Sequence, residues 1–294
     1  MVTSVGFIGL GVMGAAMAAS ILKAGHPLVV HSRTKSKASQ LLEDGARWAD
    51  TPAGAAADVV FLSLPETADV ENVLFGDNGV AASMEPDSVI IDTSSISASE
   101  TIRFSQQAAA SGVHMLDMPV SGGPKGARDG TLSCMIGGEE DVVERVRPLL
   151  SNIGKELTHI GPSGAGQLCK ACNQLVIVST VMGMSEAFSL CENAGIDAKK
   201  VRQALLSGSA RSFVLENHGD RLLAGTLEPG FRSTLMRKDI RLANRAMSDF
   251  DVFAPVAALA EQMFTALINS GDGNKDSAAL GLVTQQLSQQ KNAP

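Results

Sequence analysis

The stretch Val5-Gly6-Phe7-Ile8-Gly9-Leu10-Gly11-Val12-Met13-Gly14 decides the fold of this chain. Its first four residues are typical of a buried strand, and a helical pattern begins within the glycine turn. In that setting Gly9 permits a tight turn, Gly11 lets the backbone approach a pyrophosphate, and Gly14 lets the helix pack closely on the strand. The stretch therefore predicts a dinucleotide site formed by Gly9, Leu10, Gly11, Val12, Met13 and Gly14. The alternative is a glycine-rich turn that binds no ligand.

The composition indicates a globular protein of two domains. The chain has 294 residues, of which 45% are hydrophobic, and it exceeds the usual size of one domain. Its formal net charge of -7 disfavours a nucleic-acid binder, which needs a basic surface to displace counterions from phosphate. The four cysteines form no disulfide framework, so we expect a reducing, cytoplasmic compartment.

We expect neither a secretory signal nor a membrane span. The apolar segment from Val2 to Ala24 lacks a basic start and is interrupted by the glycine turn. The longest later apolar run, Leu175 to Met184, is about half of the ~20 residues that a membrane-spanning helix needs.

Short β-rich runs alternate with helical patterns through the first half, which predicts an α/β fold with a doubly wound, Rossmann-type sheet. The later runs are Leu28–Val30, Asp58–Ser63, Ser88–Asp92, His114–Asp117, Leu132–Ile136 and Leu157–Ile160. Runs that are apolar on both faces predict buried parallel strands. One long helix is predicted from about Gly164 to Asn193, and because it is apolar on nearly every side we expect it to be buried. We predict a dinucleotide-binding domain over 1–162 and an all-α domain, built on the long helix, over 163–294.

The end of the second strand bears on the choice of cofactor. Enzymes that use NAD usually carry a carboxylate there, about 20 residues after the glycine turn, to bind the ribose 2′-hydroxyl. This chain has His31-Ser32-Arg33-Thr34 instead. A guanidinium without a carboxylate favours a 2′-phosphate, so Ser32, Arg33 and Thr34 predict NADP(H), with NAD(H) as the alternative. The competing interpretation is that Arg33 and the two lysines after it only begin a solvated helix.

The turn Ser121-Gly122-Gly123 follows a strand end, where open α/β sheets bind ligands. Successive N–H groups in such a turn can bind an anion, so Ser121, Gly122 and Gly123 are candidates for binding a substrate carboxylate. Ser-Gly-Gly also serves any tight turn, and that alternative stays open.

Lys170 and Asn173 are three residues apart in the long helix and therefore share one face. Burial and the positive end of the helix both lower the pKa expected for Lys170, which suits it to exchange a proton with a carbonyl oxygen. The alternative is a lysine whose ammonium extends to solvent.

Other polar residues give weaker signals. Cys169 and Cys172 lie within the long helix, whereas a redox pair needs an exposed thiolate at a helix start, so we expect structural thiols. The five histidines are scattered singly, and no metal site is predicted. The pair Lys238-Asp239 cannot be distinguished by composition from a surface ion pair.

Five ordered blocks, spread over nearly the whole chain, resemble the β-hydroxyacid dehydrogenase family, which includes 3-hydroxyisobutyrate dehydrogenase and 2-hydroxy-3-oxopropionate reductase. The blocks are Phe7–Gly14, Asp92–Ser95, Asp117–Gly123, Gly164–Gln174 and Lys238–Asp239.

The resemblance implies roles for individual residues. Lys170 would be the catalytic acid/base, Asn173 would hold the substrate, and the Ser121 to Gly123 turn would bind its carboxylate. The implied cofactor contacts beyond the glycine turn are Leu64, Pro65, Thr93 and Lys238. The long helix would support a homodimer or a homotetramer.

The resemblance also implies reduction of a small aldehyde acid, and the end of the second strand predicts NADPH as the cofactor. The leading substrate is 2-hydroxy-3-oxopropionate, and the alternative is 3-hydroxyisobutyrate, which the segment Thr234–Asp239 favours. Related phosphogluconate dehydrogenases have His-Asn where Asn173-Gln174 stands, so decarboxylation of a sugar acid is disfavoured. Imine reductases generally replace the lysine, so Lys170 argues against them. A non-catalytic cofactor-binding scaffold on the same fold is the remaining alternative.

Overall fold

A computed structural model describes residues 3–288 of the chain. The chain divides into two compact units, Met1–Lys170 and Ala171–Pro294. The division falls within the long helix, whereas the predicted domain boundary, after residue 162, precedes that helix.

The described part of the first unit contains one sheet of nine strands. The strands are β1 (Val5–Ile8), β2 (Leu28–His31), β3 (Arg47–Trp48), β4 (Val59–Leu62), β5 (Val89–Asp92), β6 (His114–Asp117), β7 (Val120–Ser121), β8 (Leu132–Gly137) and β9 (Gly154–Gly161). The helices of this unit are α1 (Val12–Lys23), α2 (Ser39–Glu43), α3 (Thr67–Phe75), α4 (Ala98–Ala109), α5 (Gly123–Asp129) and α6 (Glu140–Leu150).

The strand order confirms the predicted doubly wound sheet. The order is β3-β2-β1-β4-β5-β6-β8-β7, with β9 beside β8, and β1 to β6 are parallel. The expectation of parallel strands is wrong for β8, which is antiparallel to β6 and β7 and parallel only to β9. The apolar pattern could not reveal this, because a central strand buries both faces whichever way it runs.

Apolar layers cover both faces of the sheet. On one face the rings of Phe7 and Phe61 stack with their centroids 5.6 Å apart, and Ile21 of α1 belongs to the same core cluster. On the other face Leu62 belongs to a cluster that includes Phe104 of α4. The alternation of side chains along β4 thus buries neighbouring residues in opposite layers, which fixes the register of the strand.

The second unit is built from helices. They are α7 (Ala165–Asn193, which begins in the first unit), α8 (Ala198–Leu206), α9 (Phe213–Ala224), α10 (Ser233–Asp249), α11 (Pro255–Leu267) and α12 (Leu280–Ser288). Its core includes Val178 and Phe188 of α7, Ile240 of α10 and Phe264 of α11, all fully buried. The predicted succession of a Rossmann-type sheet and an all-α domain is confirmed.

Helix α7 is less buried than its sequence predicts. Val176 is 66% exposed and Leu190 is 70% exposed, so the expectation of burial on every side is wrong for this face. The helix has 29 residues and contains an 18-residue window with a mean hydropathy of 1.4, so by length and composition it could cross a membrane. Half of its most apolar window is buried inside the protein, as is typical of a core helix.

Candidate active site

The predicted cofactor residues of the first unit lie in or beside the turns that follow neighbouring strands. The order of the strands reverses between β1 and β4, and ligands of open α/β sheets bind at such a point. The Gly9 N–H donates to the carbonyl of His31, 2.9 Å away, and this bond joins the turn after β1 to the end of β2. Farther along the sheet, the Leu64 N–H donates to Ser94 Oγ at 2.8 Å, and Thr93 Oγ1 donates to the carbonyl of Leu62 at 2.6 Å. The loops after β4 and β5 are therefore held together.

The three glycines of the turn meet different demands. Gly9 has φ = +102°, and a Cβ there would lie 2.3 Å from the carbonyl oxygen of Ser63. A Cβ on Gly14 would lie 2.0 Å from the carbonyl oxygen of Gly9. Gly11 is unlike both, because its φ of -72° suits any residue and no described atom lies within 4 Å of a Cβ placed there. Neither conformation nor internal packing requires glycine at position 11, but a pyrophosphate passing close to the backbone would require it. The turn therefore fits a dinucleotide.

The remaining side chains near this turn differ in exposure. Leu10 is 3% exposed and offers only its backbone, whereas Val12 is 71% exposed. Met13, Ser32 and Leu64 are half-buried, Thr34 and Pro65 are exposed, and Thr93 is buried.

Arg33 has an acidic neighbour that the sequence analysis did not identify. Its side chain is 82% exposed, and its Nη1 lies 3.4 Å from Asp69 Oδ1, in the first turn of α3. The Lys35 ammonium lies 5.4 Å from the centroid of the Trp48 ring. Arg33, which is predicted to contact a 2′-phosphate, and the nearby Lys35 thus have partners within the protein.

The structure brings Lys170 to the proposed carboxylate-binding turn. Its Nζ donates to the carbonyl oxygen of Val120 at 2.9 Å, and Val120 directly precedes Ser121. Gly122 has φ = +128° and Gly123 has φ = +61°, and both are exposed. The backbone therefore turns in the left-handed region, where glycine is favoured, next to the carbonyl that holds the lysine.

Asp117, at the end of β6, anchors the first turn of α7. Its Oδ1 accepts the Gly164 N–H at 2.8 Å and its Oδ2 accepts the Gln167 N–H at 2.9 Å. The side chain is fully buried, and this burial raises the pKa of Asp117, while the backbone donors act in the opposite direction. The carboxylate satisfies N–H groups that have no partner within the helix.

Gln167 makes a second connection to the same helix turn. Its Oε1 accepts the Ile96 N–H at 3.1 Å, and its Nε2 donates to the Ser94 carbonyl at 2.8 Å. Lys170 follows one turn later, so Asp117 and Gln167 together fix the helix that carries it. The sequence did contain a signal for both residues, since each is a polar side chain in an apolar element and is costly to bury without partners.

Asn173 and Lys238 lie in the second unit and are linked by two residues that the sequence analysis assigned no role. Asn173 Nδ2 donates to Gln174 Oε1 at 2.9 Å, and Gln174 Nε2 donates to Asp239 Oδ2 at 2.6 Å. Lys238 Nζ lies 3.2 Å from Asp239 Oδ1. Asp239 is 4% exposed, so Lys238 and Asp239 do not form the surface ion pair that the sequence left as an alternative.

Cys169 and Cys172 both lie within α7. Cys169 is half-buried and Cys172 is exposed, and neither forms a disulfide bond with a described residue. Within residues 3–288, His, Cys, Asp and Glu side chains form no group of three or more that could hold a metal ion.

Two family models together match most of the chain. The model described as the NAD binding domain of 6-phosphogluconate dehydrogenase matches residues 4–161. The model described as "NAD-binding of NADP-dependent 3-hydroxyisobutyrate dehydrogenase" matches residues 164–283.

Individual proteins are similar over almost their full length. The 2-hydroxy-3-oxopropionate reductase of Escherichia coli (strain K12) is 42% identical over 277 residues, which cover 94% of each chain. The structure of the 3-hydroxyisobutyrate dehydrogenase of Mycobacterium tuberculosis with L-serine has a TM-score of 0.90 at 30% identity, covering 97% of this chain and all of that one. A complex of the protein Psf3 with NADP+ and 2-OPP has a TM-score of 0.85 at 28% identity, covering 95% of this chain and 99% of that one.

Proposed function

Because the chain belongs to the family of NAD(P)-dependent β-hydroxyacid dehydrogenases, we propose that it reduces 2-hydroxy-3-oxopropionate, a small semialdehyde acid, to the hydroxyacid. The observation that carries the proposal is the hydrogen bond of 2.9 Å from Lys170 Nζ to the carbonyl of Val120. It holds a proton donor beside a glycine turn suited to a carboxylate.

A bound nicotinamide supplies the hydride for the carbonyl carbon. Lys170 Nζ donates a proton to the substrate carbonyl oxygen as the C=O double bond becomes a single bond. Ser121 Oγ and the N–H groups of Gly122 and Gly123 hold the carboxylate, so the carbonyl lies within reach of the ammonium. In the reverse reaction Lys170 accepts the proton of the substrate hydroxyl.

The residues that contact the cofactor are proposed from the glycine turn and the neighbouring strand ends. They are Gly9, Leu10, Gly11, Val12, Met13, Gly14, Ser32, Arg33, Thr34, Leu64, Pro65 and Thr93. Lys238 as a further cofactor contact and Asn173 as a substrate contact are proposed from their places in the family motifs alone.

Two variants of Lys170 test its acid/base role. Lys170→Ala removes the proton donor, and Lys170→Arg keeps a cation that does not give up its proton near neutrality. We expect both to lower kcat by about 100- to 10,000-fold, while NADPH affinity, measured by fluorescence titration, is unchanged. Full turnover by Lys170→Ala with normal NADPH binding would show that another group moves the proton.

We propose that the cofactor is NADP(H), with Arg33 contacting the 2′-phosphate. The support is an exposed guanidinium and no carboxylate in Ser32-Arg33-Thr34. In Arg33→Asp we expect the preference for NADPH over NADH in kcat/KM to fall by about 10- to 100-fold, because a hydrogen bond to a charged group contributes about 1.5–3 kcal/mol. Asp69→Asn is the matched control, and it should raise the preference by releasing the guanidinium. An unchanged preference in Arg33→Asp would remove the 2′-phosphate from the proposal.

3-Hydroxyisobutyrate is the second candidate substrate, favoured by the family model that matches residues 164–283. A screen of short semialdehydes and hydroxyacids with both cofactors separates the two candidates. A higher kcat/KM for 3-hydroxyisobutyrate than for glycerate would reverse their order.

A homodimer or homotetramer in the cytoplasm completes the proposal. The exposed apolar side chains Val176 and Leu190 of α7 support self-association, because burying them in an interface would remove them from water. Light scattering on the purified protein measures the oligomer size. Val176→Glu should shift it toward the monomer.

A further inference from the structure

Four side chains of the second unit form one continuous polar chain. It runs from Asn173 through Gln174 and Asp239 to Lys238, with distances of 2.9, 2.6 and 3.2 Å between successive polar atoms. Gln174 is 3% exposed and Asp239 is 4% exposed, so the central link is shielded from water. Water therefore competes little for the hydrogen bond between Gln174 and Asp239.

The direction of the hydrogen bonds in this polar chain follows from its one acidic member, Asp239. A carboxylate only accepts hydrogen bonds, so Gln174 must direct its NH2 group at Asp239 Oδ2. The carbonyl oxygen of Gln174 then faces Asn173, and Asn173 must direct its NH2 group toward it. Turning either amide would set two acceptors or two donors against each other.

We propose that Asp239, acting through Gln174, fixes Asn173 with its carbonyl oxygen toward the substrate, so that the enzyme selects substrates with a hydrogen-bond donor beside the reacting carbon. Asp239 and Gln174 are positioning residues in this scheme, and Asn173 is the specificity-determining contact. The inference rests on the proposed function, in which Asn173 contacts the substrate.

The substrate feature that Asn173 reads is a hydroxyl on carbon 2. 2-Hydroxy-3-oxopropionate carries that donor, whereas 2-methyl-3-oxopropionate carries a methyl group of similar size at the same carbon. A methyl group leaves the Asn173 carbonyl without a hydrogen bond, and sites that lose such a bond discriminate strongly. The polar chain from Asn173 to Lys238 therefore favours the hydroxylated semialdehyde.

The test compares these two semialdehydes in the wild type and in Gln174→Met. Methionine has nearly the volume of glutamine but cannot make the two hydrogen bonds that join Asn173 to Asp239. The pair of Lys238 and Asp239 stays in place. We expect the wild type to prefer the hydroxylated substrate by about tenfold or more in kcat/KM, and Gln174→Met to lose most of that preference. The kcat/KM for the methyl substrate should change little, whereas a merely structural defect would lower both values together.

A binding measurement separates this inference from the proposed reaction. Calorimetry with the NADP+-loaded protein gives the dissociation constants of glycerate and 3-hydroxyisobutyrate. These two acids carry a hydroxyl and a methyl group on carbon 2, so the measurement compares the two groups without turnover. A preference for glycerate that Gln174→Met abolishes supports the inference even if neither semialdehyde is reduced. Turnover without preference for the hydroxyl, or equal losses for both substrates in Gln174→Met, overturns it while the proposed reaction stands.

Asp239→Asn provides a second variant for the same chain. Asparagine offers both a donor and an acceptor to Gln174, so the amides are no longer held in one orientation. We expect the same loss of hydroxyl preference as in Gln174→Met. An Asp239→Asn enzyme with the full wild-type preference would show that the carboxylate does not set the orientation of Asn173.

Discussion

Asp117 and Asp239 are both buried carboxylates, but they serve their surroundings in different ways. Asp117 binds backbone N–H groups at the start of α7, whereas Asp239 binds the side chains of Gln174 and Lys238. A contact with the backbone depends on the path of the chain, whereas a contact with a side chain changes with one substitution. The place of Lys170 is thus fixed by the fold itself, while the arrangement around Asn173 can change without altering the fold.

The surroundings of Asp117 leave no room for side chains on two glycines. A Cβ on Gly137 would lie 2.5 Å from Asp117 Oδ1, and a Cβ on Gly166 would lie 2.8 Å from Asp117 Oδ2. The same Cβ on Gly166 would lie 2.4 Å from the carbonyl oxygen of Met135. The close fit of β6, β8 and α7 at this point therefore requires both glycines.

The largest effect is expected from removing the Asp117 carboxylate. Asp117→Ala leaves the N–H groups of Gly164 and Gln167 buried without their acceptor, and we expect a loss of about 2–5 kcal/mol in the free energy of unfolding. Asp117→Asn keeps one acceptor oxygen and should lose about 1–3 kcal/mol. Trp48 is the single tryptophan of the chain and lies in the first unit, so its fluorescence during denaturation reports the change.

Asp117→Asn should also lower kcat by about tenfold or more, because a displaced helix start moves Lys170 from its place. The matched control is Asp129→Asn, which removes an exposed ion pair with Lys125 and should change stability by less than about 0.5 kcal/mol. Wild-type kcat in a destabilised Asp117→Asn enzyme would show that this anchor stabilises the fold without positioning the lysine.

Two glycines of the dinucleotide turn allow packing within the protein to be separated from packing against a ligand. Gly14→Ala places a Cβ 2.0 Å from a backbone oxygen, and we expect a loss of about 1–3 kcal/mol in the free energy of unfolding. Gly11→Ala meets no atom among the described residues, so stability should change by less than about 0.5 kcal/mol. The dissociation constant for NADPH should nevertheless rise by about tenfold in Gly11→Ala, because the methyl group occupies the path of the pyrophosphate. Unchanged NADPH binding in Gly11→Ala would place the pyrophosphate elsewhere.

The sequence predicted those features that local spacing specifies. The turn from Gly9 to Gly14 and the length of α7 follow from glycine spacing and apolar periodicity, which are local properties. The anchor at Asp117 was not predicted because it joins residues 47 and 50 positions apart in sequence. The partner of Gln174 is 65 positions away, and the direction of β8 depends on a chain reversal that no apolar pattern records. Contacts at such separations depend on the tertiary fold, so only the cost of burying a polar residue indicated that partners exist.

Asp276 combines both kinds of contact, and His218 beside it gives the smallest expected effect. Asp276 Oδ2 accepts the N–H groups of Gly230 and Phe231 and a hydrogen bond of 2.7 Å from Arg221 Nη1. Burial lowers the pKa of His218 below its usual 6.5, Asp276 acts against this shift, and Arg221 adds to it.

Because the pKa of His218 is lower in the folded state, the unfolded chain binds the proton more readily as the pH falls below about 6.5. The protein should therefore lose stability between about pH 6.5 and the lowered folded-state value, by at most about 1.4 kcal/mol per pH unit from this residue. His218→Leu removes the titrating group and should flatten that part of the stability profile, measured by calorimetry between pH 5 and pH 8. Equal slopes in the wild type and His218→Leu would mean that the charge of Asp276 offsets the cost of burying a protonated His218, so that folding does not change the pKa of this histidine.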